Sequence, residues 1–144
     1  MPMKPPKRWH WIVLALALAF GLDWVIQRPD ARSRALDAAL ERDGSEHLRS
    51  YPYRFRVFRV EGDTAVMGTP RNFDVPAMRF IAVIRPHIDV RNPQDPAFVE
   101  AQARLAAAQS EARSIVEAQP GVASVCWELD RDWLTAHGVD VPSR

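Results

Sequence analysis

Arg85, His87 and Asp89 are the residues whose types and spacing come nearest to chemistry in this chain. They alternate after an apolar run, and on an extended backbone alternate side chains share a face. A guanidinium, an imidazole and a carboxylate so placed can hold an anion. They can also pair a general base with the carboxylate that orients it. Pro86 lies inside the group and makes the backbone irregular, so the competing reading is an edge segment whose polar side chains point to water. These three are the catalytic candidates.

A second constellation is Cys126 as nucleophile with His137 as base and Asp132 as orienter. Cys126 sits on an apolar strand pattern without a glycine-rich or strained turn around it, a setting in which cysteine behaves as a small hydrophobe. Metal binding needs clustered ligands. The four histidines, at 10, 47, 87 and 137, are scattered. Glu128, Asp130 and Asp132 lie close together, but they suit a strand end and a helix cap. The six glycines are spread singly, so there is no phosphate-cradling loop. No cofactor and no metal site is expected. Arg54, Arg56 and Arg59 beside Tyr53, Phe55 and Phe58 carry the aromatic-basic character of single-strand nucleic-acid binders. They read more simply as the charged outer face and aromatic inner face of one strand. The formal charge of +1, from 19 basic and 18 acidic residues, lacks the basic excess of a nucleic-acid partner. The lone cysteine, Cys126, forms no internal disulfide.

The elements that must position these residues start with a hydrophobic N-terminal segment. Residues 9–26 are apolar apart from His10 and Asp23, and as a helix they would extend ~27 Å. Trp9, Trp11 and Trp24 fall near the ends, where indole rings favour the membrane interface. Lys4, Lys7 and Arg8 precede the run and favour a cytoplasmic N-terminus, which places the rest of the chain in the periplasm. Arg28, Arg32 and Arg34 blur that rule. A signal peptide cut near Ala17, Leu18 and Ala19 is the competing reading, and it would release a secreted domain. The apolar run continues past that point, which favours an anchor in the inner membrane.

Three regions follow: an N-terminal anchor or signal segment at 1–28, a juxtamembrane helix and linker at 29–52, and a soluble α+β domain at 53–144. Pro29 is expected to end the first helix and Asp30 to cap a second over 31–42. Residues 53–61 alternate as a strand whose phase slips at Phe58, a sign of a bulge. Gly62 and Asp63 turn the chain into a second strand at 64–69. Residues 78–84 are the most apolar run and are expected as a central strand. Asp95 and Pro96 open a long helix that ends at Pro120 and Gly121. Its apolar face is Phe98, Ala101, Leu105, Ala108, Ala112, Ile115 and Val116. A strand at 122–129 and a short helix at 131–137 complete the chain, with Trp127 and Trp133 as core residues.

The expected fold is therefore α+β: a transmembrane helix, then an antiparallel or mixed sheet of about four strands packed by one long helix. Over residues 97–129 the long helix, Pro-Gly turn and strand resemble the ending of ferredoxin-like domains, a likeness of fold alone. The function expected is a non-enzymatic, membrane-anchored accessory module with a protein partner in the membrane or envelope. The alternative is a small hydrolase or anion-binding enzyme built on Arg85, His87 and Asp89.

Overall fold

The computed structural model describes residues 8–143, with the side chains of 23–30 outside that description. Helix α1 (Arg8–Asp43) leads into a short α2 (Glu46–Arg49). The hairpin β1 (Val57–Glu61) and β2 (Thr64–Thr69) comes next, then α3 (Ala77–Ile84), α4 (Pro96–Glu117), β3 (Ser124–Leu129) and α5 (Arg131–Ala136). The sheet has three strands in the order β1-β2-β3, antiparallel between the first two and parallel between the last two. The architecture is thus α+β with a mixed sheet, and the strands among the described residues number three where about four were expected.

The missing strand is α3. Residues 77–84 form a helix that buries one side, with Phe80 and Ile81 both fully enclosed and Met78 and Arg79 exposed. A short apolar run reads equally as a covered strand or a covered helix, because its periodicity carries no phase. What decides is the surroundings. Pro76 supplies the extended N-cap geometry, and the helical wind turns Phe80 and Ile81 together into the core. The parallel β2–β3 pair is consequently joined by two helices, and the four-stranded ferredoxin-like arrangement does not form.

Helix α1 corrects a second expectation. The backbone stays helical through Pro29, so Asp30 caps no separate helix. A proline inside a helix removes one hydrogen bond and crowds the preceding turn. Here the following turns are held by packing: Leu36, Ala39 and Leu40 are buried, and Arg32 donates to the carbonyls of Gly62 (2.9 Å) and Gly121 (3.3 Å). Among the described residues no helix is long and apolar enough to cross a membrane, so the spanning helix of the expected architecture has no support there. Lys4, Lys7 and the side chains of Asp23, Trp24, Val25, Ile26 and Arg28, which entered that expectation, lie outside the described residues.

The core gathers where α4 and the C-terminal part of α1 meet the sheet. Phe98, Ala101, Leu105, Ala108, Ala112 and Val116 are buried along one stripe of α4, as their spacing predicts, with Ile115 half-buried at its margin. Ala108 and Ala112 have no accessible surface and share one core with Ala65 and Met67 of β2. Asp95 caps α4 through the amides of Ala97 (2.8 Å) and Phe98. The bulge expected near Phe58 is present between Val57 and Arg59. Gly62 has φ +62° in the hairpin turn, a conformation that glycine adopts without steric penalty.

Candidate functional site

Arg85 and His87 do come together, though not through strand geometry. Arg85 is the C-cap of α3 and His87 lies in the turn beyond it. With Ile88 and the α4 residues Ala97, Glu100, Ala101 and Arg104 they line a shallow depression of about 210 Å³. Asp89 is not part of it. Its carboxylate accepts from the amide of Arg91 at 3.1 Å, closing a local turn. Glu100 is tied to Arg104 at 2.6 Å. The depression thus holds the Arg85 guanidinium, one imidazole and an ion pair already formed, and the carboxylate expected to orient His87 is engaged elsewhere.

Cys126, His137 and Asp132 do not assemble. The Cys126 thiol is exposed on β3, and its hydrogen-bond contact is the Trp127 carbonyl at 4.0 Å. His137 stacks on Trp133 with ring centroids 3.8 Å apart, and its Nδ1 lies 2.7 Å from the Trp133 carbonyl. Asp132 sits in the first turn of α5. Of the neighbouring carboxylates, Glu128 pairs with Arg59 at 2.7 Å. Asp130 is buried. Among the described residues no group of His, Cys, Asp and Glu is placed to hold a metal ion.

The basic strand is neutralised residue by residue. Arg54 pairs with Glu41, and Arg56 lies 3.8 Å from Asp130 and over the Phe58 ring. Arg59 bridges Glu61 and Glu128. A groove that tracks a phosphate backbone needs cations without such partners, and this face does not supply them.

The best-built polar feature is internal. The hydroxyl of Tyr53, 1% exposed, donates to Asp130 Oδ2 at 2.9 Å. Asp130, 4% exposed, accepts from the Trp133 amide through its other oxygen and so caps α5. Burial, then the charge and hydrogen bond of Asp130, push the Tyr53 hydroxyl far above the usual phenol range. The ring meets Phe55, Phe80 and Trp133 edge-on, at centroid separations of 4.9 to 6.0 Å. Gly68 makes room for this group: a Cβ there would sit 2.5 Å from Phe58 and 2.8 Å from the Tyr53 hydroxyl. The helix-cap role of Asp130 was legible in the sequence. Its partner 77 residues upstream was not.

Two other polar groups were not anticipated. Asp37 reaches from α1 to the amide of Val57 at 2.7 Å. Its burial raises the carboxyl above its usual range, against the opposing pull of that amide and of Arg54 and Arg56. The Tyr51 hydroxyl is buried with no hydrogen-bond partner. Burial lifts it to about 12, and the nearby Arg85 guanidinium pulls the other way.

A wider concavity of about 650 Å³ lies over the sheet, lined from all three strands by Arg59 and Glu61, Thr64 and Val66, and Cys126 and Glu128. Trp127, Glu128, Arg71 and Gln109 border it. Comparison with family models, with curated proteins and with solved structures finds no match for this chain.

Proposed function

We propose that this chain is a membrane-tethered, non-enzymatic interaction module whose α+β domain works in the periplasm, against a partner in the membrane or envelope. The observation that carries the reading is the exposure of α1 over residues 9–22. Trp9 is 73% exposed and Phe20 74%, and Trp11, Ile12, Val13, Leu14, Leu16, Leu18 and Leu22 are all at least half exposed. Nothing in the described chain covers them, and they occupy every side of the helix. Apolar side chains bared around a whole helix call for a hydrocarbon environment or a protein groove. The apolar run continues in sequence to Ile26, and the basic Lys4, Lys7 and Arg8 precede it. That order favours a bilayer with the N-terminus on the cytoplasmic side. The interaction role follows from confinement: a tethered domain meets membrane partners at raised effective concentration.

Carbonate extraction of native membranes, with N-terminal sequencing of the retained protein, tests the tether. Retention with residues 1–26 intact is expected. Release, or a mature N-terminus just after Ala19, refutes it. Purification in mild detergent with mass spectrometry tests the module reading, for which a stoichiometric membrane or envelope partner is expected. Recovery of the protein alone counts against it.

The enzyme alternative finds less in the geometry. His87 lacks its orienting carboxylate, and the depression beside it is shallow.

A further inference from the structure

The two edges of the sheet are treated differently. A strand edge presents unpaired amides and carbonyls, and proteins usually blunt it with a bulge, a proline, a lysine or a covering element. The β1 edge carries several such devices. Helix α1 lies along it, Asp37 caps the Val57 amide at 2.7 Å, and the strand is bulged at Phe58. The β3 edge carries none of them: Ser-Val-Cys-Trp-Glu-Leu has neither proline nor lysine, and its pairing with β2 is regular over all six residues.

Ladder parity fixes which groups face outward. The Asp130 amide points to β2, toward the carbonyl of Thr69 at 2.8 Å, and where the strand begins the Asp63 carbonyl accepts from both Ala123 (2.8 Å) and Ser124 (3.4 Å). In a parallel pair both backbone groups of a residue face the same side. Val125 and Trp127 therefore turn their N–H and C=O away from the sheet. The strand order ends at β3, so among the described residues no strand meets them.

We propose that this edge receives an extended segment of a partner protein as a fourth strand. A second copy of the chain is the obvious competitor, and the fold opposes it. Arg32 contacts Gly62, Asp37 contacts Val57 and Glu41 contacts Arg54, so α1 runs antiparallel to β1 and along the strands. A symmetric antiparallel pairing of two β3 strands reverses one molecule end for end. Its α1 would then leave in the opposite direction, and two tethered copies could not enter one bilayer. This exclusion rests on the tether reading. The open edge itself does not.

The chemistry beside the edge describes the occupant. On the side facing α4, Trp127, Ala106, Gln109, Ser110, Arg71 and Arg113 line a recess of about 210 Å³. Arg113 is paired with Glu117. The Arg71 guanidinium contacts only the neutral amide of Gln109, at 3.3 Å, and makes no ion pair among the described residues. Alternate residues of an added strand face this recess. The segment that fits sets an apolar side chain against the Trp127 indole and, two residues on, a carboxylate against Arg71. Main-chain bonds to Val125 and Trp127 supply the affinity, as in other strand additions.

The test uses the full-length protein in detergent micelles and a capped nine-residue peptide alternating Thr and Val, with one Asp on the Val face. Amide exchange at Val125 and Trp127 is followed by NMR. In the free protein both amides exchange quickly, and saturating peptide slows them at least about tenfold. Methylating the peptide's alternate backbone nitrogens abolishes the effect. Replacing its Asp by Asn, or Arg71→Gln in the protein, weakens binding roughly tenfold. The proposal is overturned if the two amides are already protected without peptide, if the methylated peptide binds as tightly, or if the peptide slows neither amide. Protection in the free protein together with a Cys126–Cys126 crosslink would assign the edge to a second copy. Flotation of the same protein with vesicles reports separately on the tether, so failure of one reading is not mistaken for failure of the other.

Discussion

Replacing Tyr53 by Phe removes one oxygen from the interior and leaves the shape of the ring intact. The Asp130 oxygen that accepted its proton at 2.9 Å is left with Arg56 at 3.8 Å, and Arg56 is half-exposed. A hydrogen bond to a charged acceptor contributes about 1.5–3 kcal/mol, so the variant is expected to lose about 2 kcal/mol at pH 7. Asp130→Ala strips the α5 cap as well and strands the Tyr53 hydroxyl, for a loss of about 3 kcal/mol. The double variant should lose less than the sum, with a coupling of about 1.5–2 kcal/mol. The alkaline limb gives an independent reading. The chain has two tyrosines, and both hydroxyls are held above their usual range, Tyr51 at about 12 and Tyr53 higher still. A group with a raised folded pKa keeps its proton after the unfolded chain has released it, so stability falls as pH rises above about 10. Each tyrosine removes about 1.4 kcal/mol per pH unit there. The wild type should lose about 2.7 kcal/mol per unit until Tyr51 ionises, and Tyr53→Phe about half as much. Urea unfolding followed by tryptophan fluorescence, with Trp133 against the Tyr53 ring, measures all of this. A coupling below about 0.5 kcal/mol, or an alkaline slope unchanged in the variant, would refute the account of the buried pair.

Gly68→Ala drives a methyl group into Phe58 and the Tyr53 hydroxyl and is expected to cost about 1–3 kcal/mol, read from the same urea curves. Asp37→Asn keeps an acceptor for the Val57 amide and removes a buried charge. Because burial raises the folded carboxyl above its unfolded value, wild-type stability falls as pH climbs from the unfolded carboxyl's range through the folded one, and the Asn variant should gain on the wild type over that interval. Asp37→Ala, which leaves the amide without its partner, should lose about 1–3 kcal/mol. Asp95→Ala removes the α4 cap and should cost about 1 kcal/mol. Leu14→Arg, in the exposed apolar part of α1, should shift the protein toward the soluble fraction on carbonate extraction, and unchanged retention would count against the bilayer reading.

Elements with a phase or a cap were legible in the sequence. Alternation placed β3 and the turn residues placed the β1–β2 hairpin, though the strand expected over 53–61 begins only at Val57; the slip at Phe58 announced the bulge, and Asp95, Pro96 and the apolar stripe fixed α4 almost to its ends. The run at 78–84 was not legible, because a short segment, apolar but for Arg79, is too brief for its period to tell a helix from a strand. Pro29 misled for the opposite reason: a local rule was outweighed by packing further along the helix. The candidate site suffered through the same error. Arg85, His87 and Asp89 alternate on a strand, but on a helix end and turn only the first two reach one depression. The Tyr53–Asp130 and Asp37–Val57 bonds join residues remote in sequence, and nothing local in the chain encodes such pairs.

The unbroken course of α1 also makes it a drive shaft. Arg32, seated against Gly62 and Gly121, fixes the azimuth of the helix relative to the sheet. Each added residue between Leu22 and Arg32 would turn the domain by about 100° and shift it by about 1.5 Å along the axis. On the proposed tether, whichever flank of the apolar segment a neighbour grips, the bearing of the β3 edge is set by residue count. Insertions of one, two, three and four residues in that stretch should accordingly change partner engagement with the period of a helical turn, and not in proportion to length.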